Sequence, residues 1–360
     1  MPVSKRSFQL VVWFSAVVFL LASIACNNNG GTGSGSGSVS LQGAGATFPN
    51  PLYQKWLSEY GKLHPNVRID YQSIGSGGGI KQLREQTVDF GASDSPMSDQ
   101  DLKSAPGEVL HIPTVLGAVV ITYNLEAVKQ PLRFSPEVLT DIFLGKIKKW
   151  NDPKIAADNP GVTLPTGDIT VVHRSDGSGT SAVFTDYLSK ISAEWKDKVG
   201  AGIAPSWPTG IGGKGNEGVT GQIKNTPNTI GYVELAYALK NNLPVAHIKN
   251  ASGNFIEPNI DAVTAAASGS AANTPDDLRV SITNAAGPQA YPISSYTYIL
   301  VYKDQKDAGK GKALVDFLWW GIHDGEGFAK ELQYAPLPAD IVKRAETKIN
   351  SVTANGAALR

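Results

Sequence analysis

The sequence has a single cysteine, two methionines and five histidines in 360 residues. One Cys excludes an intramolecular disulfide and every Cys-rich metal site. His64, His111, His173, His247 and His323 form no H-E-x-x-H pair and no other paired metal spacing, so neither a metal nor a cofactor is expected. A charge surplus is also missing, because 32 Lys and Arg face 32 Asp and Glu. That balance removes the basic footprint with which nucleic-acid binders meet phosphate backbones. Any anion held here must be held by local groups and not by a global field. Glycine and proline, by contrast, are plentiful at 38 and 22 residues, which implies many tight turns and close backbone approaches. An apolar content of 41% with 18% charge describes a globular chain. Its length suits about two domains at roughly 100–200 residues each.

The N-terminus reads as an address. Lys5 and Arg6 precede an uncharged apolar stretch from Ser7 to Ala25, the pattern of a secretory signal over residues 1–25. The segment Leu21-Ala22-Ser23-Ile24-Ala25-Cys26 resembles a bacterial lipobox, in which the Cys becomes lipid-modified after cleavage. Ser23 departs from that motif, which usually has Leu there; plain secretion and an uncleaved anchor are the alternatives. Residues 26–39 begin with that lipid-acceptor Cys26 and continue in Asn, Gly and Ser. Such a segment builds no core and acts as a flexible tether with a reach of about 20 Å. Cleavage before Cys26 removes two cations and no carboxylate, so the remainder stays near neutral.

From Val39 onward helical and strand patterns alternate, which points to an α/β fold. Pro51 to Leu63 reads as an amphipathic helix with Leu52, Trp56, Leu57 and Tyr60 on one side. Strands are expected at 67–71, 115–123, 169–172, 230–233 and 296–302, and helices at 135–143, 181–191 and 312–320. The basic run Lys146-Ile147-Lys148-Lys149-Trp150 reads as a solvated helix end. The Ala/Ser/Gly stretch at 262–272 reads as a poor helix or a loop. No internal repeat or second apolar span follows the signal.

Three segments share one design. Gly43-Ala44-Gly45-Ala46-Thr47-Phe48-Pro49 precedes the first helix; Gly75-Ser76-Gly77-Gly78-Gly79 follows a strand and opens a helix near Gly79. Arg174-Ser175-Asp176-Gly177-Ser178-Gly179-Thr180 follows another strand and opens the helix at Ser181. Unpaired N–H groups and the positive dipole end at a helix start favour anions. Gly lets a ligand approach the backbone, and Ser and Thr add hydroxyl donors. Each segment alone could equally be an ordinary N-cap. Asp94, in Asp89-Phe90-Gly91-Ala92-Ser93-Asp94-Ser95-Pro96, is either a turn residue or an acceptor for a proton carried by the ligand.

Taken together these segments, with Leu144-Gly145-Lys146-Ile147-Lys148-Lys149-Trp150 and Thr229-Ile230-Gly231-Tyr232-Val233-Glu234, resemble the periplasmic phosphate-binding proteins of bacterial phosphate ABC importers. The resemblance runs in order from about Leu41 to the end and is weaker between Asn250 and Ala290. It implies a two-lobed periplasmic-binding-protein fold of type II, in which two discontinuous α/β domains are joined by a hinge. Lobe I would take residues 40–115 plus 291–360, and lobe II residues 116–290. It also implies one phosphate held between the lobes by Ala46, Thr47, Phe48, Ser76, Asp94, Arg174, Ser178, Gly179 and Thr180, with Asp176 orienting Arg174. Gly77 stands where some relatives have Ser, which would remove a hydroxyl. His173 stands where some have Arg, and a pH-sensing role competes with a structural one. The implied protein is an extracytoplasmic, lipid-anchored monomer that binds inorganic phosphate and delivers it to transmembrane permease subunits, without nucleic acid.

Asp94 can be reasoned about without the resemblance. Phosphate keeps a proton near neutral pH, whereas sulfate has none. A carboxylate accepts that proton from phosphate but opposes sulfate with like charge. Another tetrahedral oxyanion is therefore the weaker alternative. Enzyme readings find little support. Asp176 occupies the first Gly position of a G-x-S-x-G elbow around Ser178. Gly213-Lys214-Gly215 fails as a phosphate loop because Gly215 replaces the Ser/Thr and Pro208 the first Gly. A phosphatase-like enzyme would need an activated nucleophile or a metal site that the sequence does not display, and an adhesin with an incidental anion site is a third possibility.

Overall fold

The computed structural model describes residues 38–270 and 273–360. The signal segment, Cys26 and nearly all of the tether lie outside the described residues. Among the described residues no helix is long and apolar enough to cross a membrane.

The chain opens with β1 (Val39–Gly45), α1 (Asn50–Leu63), β2 (Val67–Ser73), α2 (Ser76–Arg84), β3 (Phe90–Ser93) and α3 (Asp99–Ser104). It continues through β4 (Val109–Tyr123), β5 (Arg133–Phe134), α4 (Pro136–Phe143), α5 (Pro153–Asp158), β6 (Thr170–Arg174), α6 (Gly179–Ile191) and α7 (Ala193–Lys198). Next come β7 (Ile211–Gly213), α8 (Gly215–Asn225), β8 (Thr229–Glu234), α9 (Leu235–Lys240), β9 (His247–Lys249), β10 (Phe255–Ile256) and α10 (Ile260–Ser270). The last part holds β11 (Ser294–Tyr302), β12 (Asp304–Gln305), α11 (Ala308–Gly321), α12 (Ala339–Asn350), β13 (Thr353–Ala354) and β14 (Ala357–Ala358).

Eight strands form one sheet in the order β2-β1-β3-β11-β4-β8-β6-β7. The β2-β1-β3 group is parallel, as is β8-β6-β7, and β11 and β4 run antiparallel between them. β4 changes partner along its length: Val109 to Ala118 pair with β11, and Val119 to Tyr123 pair with β8. Buried along all 15 residues, this strand ties two α/β halves together. Every loop singled out above lies at the carboxyl end of a parallel strand, where ligands collect in open α/β sheets.

Local chemistry explains most of the elements. In α1, Leu52, Tyr53, Trp56 and Tyr60 make the buried face and Leu57 sits at its edge. The helix stops at His64-Pro65, because the residue before Pro avoids the helical region. α6 starts where the Ser178 hydroxyl accepts the Ser181 N–H at 3.0 Å. Lys146 pairs with Asp141 and Glu194, and Lys149 with Asp168, while Trp150 is buried. The basic run is thus a surface of ion pairs around a core indole.

Two expectations need correction. α2 begins at Ser76, not near Gly79, because Gly75 takes φ 87° as the N-cap and lets the turn close three residues earlier. β4 begins at Val109, six residues before the expected Val115. Pro113 hides this in the sequence, since Pro cannot donate to a ladder. The chain accommodates it with a register shift opposite, between Thr297 and Tyr298. Of the two readings of the Ala-rich stretch, the helix holds: it forms α10, held by buried Ala262, Val263, Ala266 and Ala267.

Candidate functional site

Four strand-to-helix turns meet where the two halves of the sheet face each other. The first turn, Ala46 to Pro49, leaves β1; the second, Ile74 and Gly75, leaves β2. The third runs from Ser175 to Ser178 after β6. The fourth, Lys214-Gly215-Asn216, leaves β7 and opens α8. Their closeness is measurable. The Gly77 N–H donates to the Gly177 carbonyl at 2.9 Å across the two halves. A Cβ on Gly179 would fall 2.4 Å from Ser76 Oγ and 2.6 Å from Asp94 Oδ2. Only a glycine fits at 179.

Donor capacity is concentrated here. Thr47, Phe48, Ser76, Gly179 and Thr180 are buried, and none of their N–H groups finds an acceptor among the described residues. The hydroxyls are polarised the same way. Thr47 Oγ1 accepts from the Asn216 N–H at 3.1 Å and from Asn216 Nδ2 at 2.8 Å. Thr180 Oγ1 accepts from Asn216 Nδ2 at 3.1 Å and Arg174 Nη1 at 3.3 Å. A hydroxyl has two lone pairs; with both taken, each threonine can only donate to a further group. Ser76 Oγ accepts the Asp94 N–H at 3.3 Å, and Ser178 Oγ accepts the Ser181 N–H, so these protons too remain to be given.

Charge is arranged sparingly. Arg174 is buried, with its Nε and Nη2 on the two carboxylate oxygens of Asp176 at 2.8 and 2.6 Å. Tyr232 OH accepts the Arg174 N–H at 3.1 Å and anchors the strand end. Burial works to raise the Asp176 pKa, but the Arg174 guanidinium and the Gly215 N–H outweigh it and hold the carboxyl below the usual carboxylate range. Asp94 differs. It is 1% exposed; Oδ1 accepts from Thr297 Oγ1 at 2.9 Å, and Oδ2 is buried with no hydrogen-bond partner among the described residues. Burial pushes its pKa to about 7, against the opposing pull of Thr297, Arg174 and Ser76. Glu234, also fully buried, is pushed well above the usual range by burial.

The sequence-predicted residues Thr47, Phe48, Ser76, Asp94, Arg174, Asp176, Ser178, Gly179 and Thr180 are therefore brought together. Ala46 lies in the same turn, but its N–H is already donated to the Ala92 carbonyl at 2.9 Å. His173 packs flat on Trp207, ring centroids 5.0 Å apart, which makes it a structural part of β6. Gly77 has a packing reason: a Cβ there would meet Gly177 Cα at 3.0 Å, so a side chain would press the two halves apart. Asn216 was missed. Its signal lies in Gly213-Lys214-Gly215-Asn216, a fourth small-residue turn after a strand.

A model of the PBP superfamily domain matches residues 30–319. The phosphate-binding protein PstS of Xylella fastidiosa strain 9a5c is 46% identical, with 85% of this chain and 84% of the relative covered. The PstS of Pasteurella multocida is 45% identical over 96% of this chain and 95% of its own. The chain belongs to the PstS family of phosphate-binding proteins. Solved structures agree on the fold. The phosphate-binding protein of Stenotrophomonas maltophilia aligns with a TM-score of 0.68 at 21% identity, covering 86% of this chain and 93% of that one. A putative phosphate ABC transporter substrate-binding protein from Clostridium perfringens, with bound phosphate, aligns at 0.60 and 17%, covering 83% and 100%. The α/β periplasmic-binding fold anticipated from the sequence is thus the fold of this PstS-family chain.

The Asp94 environment generates a pH prediction. Its pKa of about 7 in the fold lies above the unfolded value of about 4. The protonated form is the one the fold favours, so Asp94 contributes stability in full below about pH 4, and this is lost as pH rises through about 7. In phosphate-free buffer, the melting temperature of wild type relative to Asp94→Asn should fall between those limits and then level off. A flat difference across that range would contradict the burial argument.

Proposed function

We propose that this chain is an extracytoplasmic receptor that captures one inorganic phosphate between its two halves and delivers it to the permease of an ABC importer. The observation that carries the reading is the pairing of many committed donors with a buried carboxylate oxygen beside them, Asp94 Oδ2, that has no hydrogen-bond partner among the described residues; Glu234 Oε1 is unpartnered too, but burial holds that carboxyl toward its neutral form. Thr47, Phe48, Ser76, Arg174, Ser178, Gly179 and Thr180 take the phosphate oxygens. Asp176 orients Arg174, and Ala46 shapes the first turn through its carbonyl. Asp94 takes the proton that phosphate carries. Charge-assisted hydrogen bonds of this sort are the stronger kind, and an acceptor left without a donor costs about 1–3 kcal/mol or more when buried.

A single proton between Asp94 and the anion is the element of selectivity. Phosphate supplies it; sulfate does not, and faces the carboxylate as like charge. Receptor and not enzyme is the reading that fits the PstS relatives and the site, where the Thr47 and Thr180 hydroxyls are fixed as donors instead of being activated by a neighbouring base. Two lobes, residues 40–115 with 291–360 and residues 116–290, would open and close about the β4 and β11 crossing. The cross-half contacts Gly77 to Gly177 and Asn216 to Thr47 support closure as the functional motion. A monomer suffices, since the site draws on one chain. The N-terminal pattern supports anchoring of the mature protein to the outer face of a membrane through a lipid on Cys26.

Calorimetry with phosphate and with sulfate tests the binding reading. Phosphate should bind one to one, and sulfate weaker by a factor on the order of 10³ or more at pH 8. Sulfate should gain on phosphate as pH falls below about 7, where Asp94 carries its own proton. Equal affinities, or no phosphate binding, would overturn the proposal. For the anchor, Cys26→Ser should move the protein from membrane to soluble fractions; unchanged membrane retention would refute lipid attachment at Cys26.

A further inference from the structure

The first turn offers its two N–H groups with unusual support behind them. Ala46 O accepts a hydrogen bond from Tyr71 OH at 2.6 Å. Thr47 O accepts one from Tyr237 OH, also at 2.6 Å, and a longer one from the Asn50 N–H at 3.2 Å. Both peptides are trans, as none in the described residues is cis. In a trans peptide the C=O and N–H lie in one plane and point to opposite sides. Holding the Ala46 carbonyl therefore aims the Thr47 N–H the other way, and holding the Thr47 carbonyl aims the Phe48 N–H. These are the two N–H groups of the turn that have no acceptor among the described residues.

We infer that Tyr71 and Tyr237 are positioning residues for anion binding, each fixing one peptide N–H by gripping the carbonyl behind it. The inference rests on the phosphate-receptor reading given above. Neither tyrosine touches the anion. Tyr71 stands on β2, next to the turn, with its ring packed edge-on to Tyr53 at 5.3 Å and parallel to Phe90 at 6.2 Å. Its grip comes from the same half of the sheet as the turn and persists whether or not the halves are together. Tyr237 stands on α9, 190 residues from Thr47, in the half that carries Ser178 to Thr180. Its grip on Thr47 forms only when the halves meet, so closure adds the shorter of the two bonds on that carbonyl to the local one from the Asn50 N–H and tightens the aim of the Phe48 N–H. The Tyr237 hydroxyl proton faces a second acceptor, Glu217 Oε1 at 2.9 Å, but the carbonyl is the nearer.

Burial raises the pKa of both phenols, so they stay donors at any working pH. Preorganised donors cost nothing to reorganise when the anion arrives, which is the physical reason to spend two buried hydroxyls on carbonyls. A third tyrosine supplies an internal control. Tyr334 OH donates to the Phe48 carbonyl at 2.7 Å. The nitrogen of that peptide belongs to Pro49 and bears no hydrogen, so gripping this carbonyl aims no donor at the site.

Amide spectra of the full-length mature chain, titrated with inorganic phosphate, test this residue by residue. In wild type, phosphate should move the Thr47 and Phe48 amide protons downfield together with those of Gly179 and Thr180. Tyr71→Phe should reduce the shift at Thr47, and Tyr237→Phe the shift at Phe48, each leaving Gly179 and Thr180 moved as before. Each variant should bind phosphate about fivefold more weakly, the equilibrium weight of one net hydrogen bond. Tyr334→Phe should lower the melting temperature while keeping wild-type affinity and shifts. Wild-type affinity and shifts in both Tyr71→Phe and Tyr237→Phe would overturn the inference, as would equal losses in all three variants with every amide affected alike. Absence of phosphate binding by wild type would instead overturn the receptor reading, and this inference with it.

Discussion

A hydrogen-bond donor or acceptor buried away from water must be paired, and the cost of leaving one unpaired exceeds the net gain of making an ordinary bond. Around Asp94 this rule acts in both directions. N–H groups from Thr47, Phe48, Ser76, Gly179 and Thr180 need acceptors, while Asp94 Oδ2 needs a donor. A tetrahedral oxyanion bearing one proton meets both needs at once; a bare oxyanion meets one and violates the other. The glycines, the threonine polarity and the close approach of the two halves follow from bringing those groups within reach of a single ligand.

The electrostatics show how little net charge such a site requires. Arg174 is cancelled by its two bonds to Asp176. Glu234 is pushed toward its neutral form by burial, and Asp94 sits near its midpoint at neutral pH. What remains is a field of peptide and hydroxyl dipoles, strong because water is excluded and oriented because each has a partner behind it. A chain with 32 cations and 32 carboxylates can therefore bind an anion without an attractive field that would draw sulfate as readily. Asn216 is central to this economy. One amide group, on the fourth turn, fills lone pairs on Thr47 from one half and Thr180 from the other, so it links closure to donor polarity.

Much of the candidate site was legible because its chemistry is local. Gly, Ser and Thr clustered at strand-to-helix turns mark unpaired N–H groups, and this singled out Thr47, Ser76 and the 178–180 turn. Asp94 was singled out through the chemistry of phosphate protonation, and the fold buries it beside Ser76 and Gly179. Features resting on distant contacts were not. Tyr237 meets Thr47 across 190 residues of chain, and nothing about an isolated Tyr on a helix reveals the carbonyl it grips. The reason for Gly77 became visible only with Gly177 opposite it. The first six residues of β4 were masked by Pro113, which sits beside an irregularity in β4 itself: consecutive Thr297 and Tyr298 face Val115 and Pro113, and Thr114 is skipped. The start of α2 was misjudged because a run of glycines carries no propensity to mark a helix.

The central claim is that one carboxylate reads the ligand's proton, and the phosphate-to-sulfate affinity ratio of Asp94→Asn against wild type at pH 8 measures it directly. An amide at position 94 keeps the shape and removes the opposing charge. The account predicts that the ratio collapses by at least about tenfold, chiefly because sulfate binds better. A ratio unchanged from wild type, with both proteins folded and binding phosphate, would contradict it.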